Sequence, residues 1–349
     1  MLPERGELAD RIEKAGGDVF VHPLAVLRRA LFSPVGAARL ARAVARDRRE
    51  LGALARRHGA ALVHDNTSVV LSGRAVAREA AVPHLVHVRE IYAGGRVASA
   101  LWPFMRARLL RADALACISS AVARQFSGSS RARVIYDGLP QAPRELDREE
   151  ARAAFGIAPE RPAVALVGRL SDWKGQDVLL RALAEIPLVE RGAVAIMAGD
   201  AAPGAEELPH RLEMLAGRLG VAERVRWLGF RRHVDDVWAA ADVAVVPSTR
   251  PEPLGLVAME AGAAGVPVVA SAHGGVAELV RDGETGLLVP PGNPSALAVA
   301  VRLLADDPEL AGRMGMAGRR RVKEHFSVKR MLAELQDLYD ELAVTQARG

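Results

Sequence analysis

From residue 18 onward, short runs of β-branched and apolar residues alternate with stretches of helical periodicity, and this rhythm limits the fold more than any other feature of the chain. A strand that is apolar along its whole length must be buried on both faces, and the helices between successive strands are what cover it. The pattern therefore predicts an α/β architecture of parallel sheets. Strands are expected at 18–22 (DVFVH), 60–64 (AALVH), 84–88 (HLVHV), 113–118 (DALACI) and 133–136 (RVIY). A second group is expected at 163–168, 193–199, 224–229, 242–247, 267–271 and 286–290. Between the groups lies DGLPQAPRELDREE, from Asp137, whose two prolines and charge run read as a linker. At roughly 150 residues per domain, 349 residues predict two lobes, over 1–143 and 144–326, and a closing helix over 327–349. In that helix Ser327 is the expected N-cap, and Val328, Met331, Leu332, Leu335, Leu338, Tyr339 and Leu342 form one apolar stripe.

Composition narrows the classes of function. Half the residues are hydrophobic and 26% are charged, the balance of a globular chain able to bury real cores. The single cysteine, Cys117, excludes an intramolecular disulfide and any cysteine-based zinc or iron-sulfur site, and points to a reducing compartment. The N-terminus is charged from its fourth residue and has no apolar core segment of a signal peptide, and 18 apolar residues never run uninterrupted. A cytoplasmic protein, or one peripheral at a membrane, is expected. Net charge is +5, concentrated in 24–60, where arginines 28, 29, 39, 42, 46, 48, 49, 56 and 57 face only Asp47 and Glu50. Aromatics are 4% and are not interleaved with a basic stripe, so nucleic acid is not the expected partner. An anionic membrane surface or an anionic acceptor fits the segment, read as amphipathic helices broken at Pro34; a plain solvated helix face is the alternative.

Ligands of open parallel sheets sit at the carboxyl ends of strands, so the polar residues that follow strands are the candidates for chemistry. After the strand closing at Gly168 come Arg169, Leu170, Ser171, Asp172, Trp173, Lys174 and Gly175, and then a helix. Two cations between a strand and a helix N-terminus make an anion cradle, although they would also serve as ordinary surface charges. Lys174 is one of only four lysines among 47 cationic side chains, which suggests that a compact ammonium is wanted there. Neither a phosphate-binding GxxxxGK[ST] loop nor a GxGxxG turn is present. After the strand ending near Pro247, Glu252 stands at the mouth of a helix, Glu260 one to two turns in, and Leu256 and Val257 offer free backbone N–H groups. A carboxylate there can accept the hydroxyls of a diol; a pair capping the helix end is the alternative. A third loop, Ser271, Ala272, His273, Gly274 and Gly275, before Val276-Ala277-Glu278-Leu279, either lets bare backbone approach a ligand or is a plain turn. In the first lobe, His64-Asp65-Asn66 and His87-Val88-Arg89-Glu90 end strands, and His87 is either a ligand contact or a satisfied histidine at the rim. His84 and His87 face opposite ways, no Asp-x-Asp occurs, and no metal site is expected.

The stretches VGRLSDWKGQDVLLRALAEI and RVRWLGFRRHVDDVWAAADVAVVPSTRPEPLGLVAMEAGAAGVPVVASAHGGVAELVRDGETGLLVPPGN resemble the retaining family 4 glycosyltransferases, over about 160–345. The resemblance implies the GT-B fold, two Rossmann-like lobes facing across a cleft. It implies that Arg169 and Lys174 bind the donor diphosphate, Glu252 lies near the donor sugar, Glu260 holds the nucleotide ribose and His87 contacts the transferred sugar. Gly168, Gly229, Leu256 and Val257 complete the donor-binding set. Family members usually begin with a strand and a Gly-rich loop, which is not seen here: either the start is misplaced or the first lobe is shortened. The implied reaction moves a sugar from a nucleoside-diphosphate sugar to a glycan, glycolipid or small-molecule acceptor, by front-face attack, with no metal and no cofactor besides the donor. A noncatalytic nucleotide-sugar-binding protein, or another GT-B-like enzyme such as an epimerase or a phosphorylase, is the alternative.

Overall fold

The computed structural model describes residues 1–27, 33–92, 96–140 and 143–347, so Arg28, Arg29, Leu31 and Phe32 of the basic segment lie outside the described residues. Four strands, β1 (Val63–Asp65), β2 (His84–Val88), β3 (Ala114–Cys117) and β4 (Ala132–Val134), pair in that order, all parallel. Six more, β5 (Ala163–Val167), β6 (Val194–Ala198), β7 (Val225–Trp227), β8 (Val243–Val246), β9 (Val268–Ser271) and β10 (Gly286–Val289), form a second parallel sheet in the order β10-β9-β8-β5-β6-β7. Helices fill the connections, as parallel pairing requires. In the second sheet the chain runs outward from β5 to β7, then returns to β8 on the other side. That reversal leaves a crevice at the carboxyl ends of β5 and β8, the place where such sheets bind ligands.

The expected strand over 18–22 does not form as a sheet strand. The segment makes a single parallel bridge, Leu2 to Val21, with Leu2 N donating to Phe20 O at 3.0 Å and His22 N to Leu2 O at 2.9 Å. Pro23 has no N–H to offer a strand on the opposite side, and His22 turns instead to the helix Pro34–Arg57, where its Nε2 lies 2.9 Å from the buried Asp47 carboxylate. Pro34 opens that helix rather than breaking it: it is the first helical residue, after Ser33, whose Oγ accepts from Gly36 N at 3.1 Å.

The last helix, Val328–Ala347, returns to the first sheet. Leu335, Leu338 and Leu342 are buried there with Leu85, Ala114, Ala116 and Ile135, and Met331 and Tyr339 flank them. Ser327 is its N-cap, accepting from Arg330 N at 3.3 Å. Leu332 is 55% exposed, one residue and hence about 100° round from Met331, and so leaves the predicted stripe. Where the linker leaves the first lobe it runs beside the start of this helix: Leu139 N donates to Phe326 O at 2.9 Å, and a Cβ on Gly138 would meet Val328 N at 2.3 Å.

Candidate functional site

The site is assembled by glycines that let loops touch. A Cβ on Gly175, at φ +81°, would lie 2.1 Å from Pro247 O, so only glycine lets the loop after β5 close on the loop after β8. Thr249 N then donates to Trp173 O at 2.8 Å. The consequence is an ion pair across the crevice: Lys174 Nζ lies 2.7 Å from Glu252 Oε1, and Ser248 Oγ donates to the same oxygen at 2.6 Å. Glu252 is 4% exposed, and Lys174 also stands 4.6 Å above the Trp173 ring. A carboxylate so deeply placed needs charged and hydroxyl partners, and it has both.

Glu252 precedes the helix Leu256–Ala264, whose N-cap is Gly255 at φ +91°, with no side-chain cap. The first amides, Leu256 and Val257, therefore keep the anion-favouring polarity of an uncapped terminus. Glu260, half-buried on the same helix, stands apart from the Lys174 network; burial, with Asp235 adding to it, pushes its pKa up. The glycines of the third loop serve packing. A Cβ on Gly274 would meet Glu252 O at 2.4 Å, one on Gly275 would meet Pro253 O at 2.2 Å, and Gly275 N donates to Glu252 O at 2.7 Å. Bare backbone there approaches the chain itself and fixes Glu252 from behind.

Arg169 is exposed and, with Gly168, lines a cavity of about 370 Å³ shared with Gly199, Asp200, Phe230 and Val234. Gly229, at φ +62°, ends the turn after β7, and its carbonyl accepts from Gly199 N at 2.8 Å. Phe230 beyond it is 71% exposed, an aromatic face left bare at the cavity.

His87 belongs to a different cluster, on the carboxyl edge of the first sheet. It is 1% exposed and stacks on His64 with ring centroids 5.7 Å apart; His64 Nδ1 lies 2.8 Å from the Tyr339 hydroxyl of the last helix. Its Nε2 is 3.8 Å from Asp137 Oδ1, and Arg89 donates to the other Asp137 oxygen. Burial, helped by Arg89 and His64, pushes the His87 pKa down to about 3, so the ring is neutral. Of the expected residues the structure joins Lys174 and Glu252, sets Leu256, Val257 and Glu260 on the helix that follows Glu252, puts Gly168 and Arg169 at the neighbouring cavity, and holds His87 in a separate buried cluster. Sequence reasoning gives no role to Ser248, whose only signal is that it directly follows a strand, or to Glu278, whose only signal is its place in the short helix after the third loop. Among the described residues, no group of three or more His, Cys, Asp or Glu could hold a metal ion, and no helix is long and apolar enough to cross a membrane.

The family model described as glycosyl transferases group 1 matches residues 147–321. A D-inositol 3-phosphate glycosyltransferase of Mycolicibacterium gilvum is 45% identical over 170 residues, covering 48% of this chain and 37% of the relative. The enzyme of the same name from Corynebacterium diphtheriae is 40% identical over 209 residues, 57% of this chain and 47% of the relative. The chain thus spans less than half the length of these curated relatives. Among solved structures, Anabaena HepE in complex with UDP-glucose superposes with a TM-score of 0.81 at 27% identity, covering 98% of this chain and 91% of that one. Sucrose-phosphate synthase of Thermosynechococcus elongatus gives 0.74 at 28% identity, over 87% and 79%. The two parallel-sheet lobes shared with them are the GT-B fold.

Proposed function

The chain belongs to the group 1 glycosyl transferase family, and from that premise we propose that it moves a hexosyl group from a UDP-sugar to an anionic acceptor with retention of configuration. The observation that carries this reading is the Lys174–Glu252 pair at the reversal point of the second sheet, beside an uncapped helix N-terminus. In it, 144–326 is the donor lobe and 1–143 the acceptor lobe. UDP is chosen because HepE, at 27% identity over nearly the whole chain, is described in complex with UDP-glucose.

An ammonium has three N–H donors, and Glu252 takes one, so Lys174 keeps donors for the diphosphate. Arg169 and the amides of Leu256 and Val257 add positive potential where the leaving group gains charge. Glu252, held by Lys174 and Ser248, is already engaged as an acceptor and suits sugar hydroxyls better than attack on C1. Glu260, further along the helix, is assigned the ribose, and the cavity rimmed by Phe230 the base. His87 is assigned the first-lobe side of the sugar, as a neutral ring. The acceptor oxygen attacks C1 on the face from which the phosphate departs; the C1–phosphate bond breaks, and the acceptor proton passes to the departing phosphate oxygen, giving the glycoside and UDP. With Lys174, Arg169 and helix amides as the counter-charges, the transfer runs without a metal ion or a resident cofactor.

The acceptor class follows the basic helix Pro34–Arg57, whose Arg39, Arg42, Arg49 and Arg57 are exposed. A phosphorylated polyol, as the relatives' name D-inositol 3-phosphate suggests, or an acceptor held at an anionic lipid surface fits that charge. Thermal melting with UDP, GDP and ADP at about 100 times the dissociation constant, worth about 2.7 kcal/mol, is the test. Stabilisation by UDP above the others is expected, and no response to any of the three overturns the donor assignment.

A further inference from the structure

Glu278 joins the two lobes through contacts that the transfer chemistry does not use. It sits in the short helix Val276–Leu279, directly after the Gly274–Gly275 turn. Its Oε2 accepts from Ser120 N at 2.8 Å and from the Tyr136 hydroxyl at 2.8 Å, and its Oε1 accepts from Ala121 N at 2.7 Å. All three donors belong to the first lobe. Beside them, Ser119 Oγ donates to Pro253 O at 2.5 Å, so the first lobe also grips the chain one residue beyond Glu252.

On its own side Glu278 cannot move freely. Arg321 donates to the carbonyls of Glu278 and Leu279 at 2.7 and 2.9 Å. Gly274 and Gly275 are wedged against the backbone of Glu252 and Pro253, with Gly275 N on Glu252 O. The carboxylate is therefore tied on one side to the first-lobe amides and on the other, through a rigid turn, to Glu252. Charge-assisted bonds to two backbone amides and a hydroxyl are strong and directional, and this one is largely shielded from water.

We propose that Glu278 is a positioning residue for transfer: its carboxylate bolts the first lobe, at Ser120 and Ala121, to the Gly274–Gly275 turn packed against the Glu252 backbone, and so sets Glu252 in register with whatever the first lobe presents. This rests on the reading that Lys174 and Glu252 hold the donor. In that reading the nucleotide contacts all lie on the second lobe and His87 meets only the sugar, so loosening the bolt spares nucleotide affinity and lowers turnover.

The test uses the full chain with Glu278→Gln, which keeps the volume but turns one accepting oxygen into a donor facing an N–H. UDP affinity by calorimetry should stay within about twofold of wild type. UDP release from UDP-glucose, with water as the acceptor, should fall at least about tenfold in kcat with little change in KM. In the double variant with Glu252→Gln the two losses should not multiply, since one residue acts through the other. Amide exchange at Ser120 and Ala121 should quicken at least about tenfold. Unchanged turnover, UDP affinity falling as far as turnover, or multiplying losses each overturn the role. Should Glu278→Gln fail to fold, Tyr136→Phe, which removes one of the three donors, is held to the same split between affinity and turnover. A wild-type chain that binds no UDP refutes the donor reading, whereas unchanged exchange at the two amides refutes the bolt.

Discussion

Removing Lys174 does two separable things, because its ammonium is both a counter-charge for Glu252 and the proposed counter-charge for the diphosphate. Lys174→Ala leaves a carboxylate that is 4% exposed with Ser248 as its hydroxyl donor, so stability should drop by about 1–3 kcal/mol. Turnover should fall at least about tenfold. Adding Glu252→Gln to that variant should restore part of the melting temperature and none of the activity, and a double variant no more stable than Lys174→Ala refutes the pairing. His87 gives a prediction in pH. The folded ring stays neutral down to about 3, while an ordinary histidine protonates near 6.5. Below 6.5 the unfolded chain thus binds a proton that the folded chain refuses. Stability should fall as the pH drops from 6.5 toward 3, at up to about 1.4 kcal/mol per unit from this residue. His87→Gln should flatten that limb of a melting-temperature profile; an unaltered limb shows that the ring titrates normally. Both ends of the Lys174–Glu252 pair were legible as residues that follow strands, 78 positions apart. Their contact was not, since it depends on β5 lying next to β8 and on Gly175 passing Pro247.

Central strands were the legible elements. ALAC and AVALV are apolar throughout, HLVHV is apolar but for His84 and His87, and all three are buried except at Val167, because a strand flanked on both sides and covered on both faces leaves its sequence little other solution. DVFVH has the same local propensity, yet its neighbour is Leu2, and β-propensity without a partner strand specifies nothing. The basic helix shows the same lesson for charge. Arg48 and Arg56 already bind Glu79, and Arg46 binds Asp47, so the net field is weaker than the arginine count. Association with anionic vesicles should accordingly be weak, and absent with neutral ones. It should fade as the Debye length shrinks from about 10 Å at 0.1 M salt to about 3 Å at 1 M. Reversing Arg39 and Arg42 to glutamate should abolish co-sedimentation; unchanged binding, or none at low salt, leaves the helix a solvated face. In the last helix, Leu338→Ala should cost about 2–5 kcal/mol, because the cavity opens between it and the first sheet, whereas Leu332→Ala should cost little.

At the scale of the whole molecule, the division into two parallel-sheet lobes followed from strand periodicity, chain length and the linker, but the way they meet did not. A linker can be read from two prolines, while Gly138 crossing Val328 and Glu278 reaching Ser120 are tertiary facts with no local pattern. A transfer that relies on cations and helix amides of the protein should proceed at an unchanged rate in EDTA. Activity lost on chelation and recovered with magnesium or manganese contradicts the proposed leaving-group chemistry. Cys117 lies at the end of β3, completely buried, and burial pushes its thiol up to about 12. Held there it is almost wholly un-ionised at neutral pH and out of reach of any alkylating reagent. As the chain's lone thiol it makes every molecule carry one dormant label, planted in the middle of the first lobe. The pace at which a maleimide consumes it is a clock for how often that lobe comes apart, readable in wild-type protein with no engineered probe.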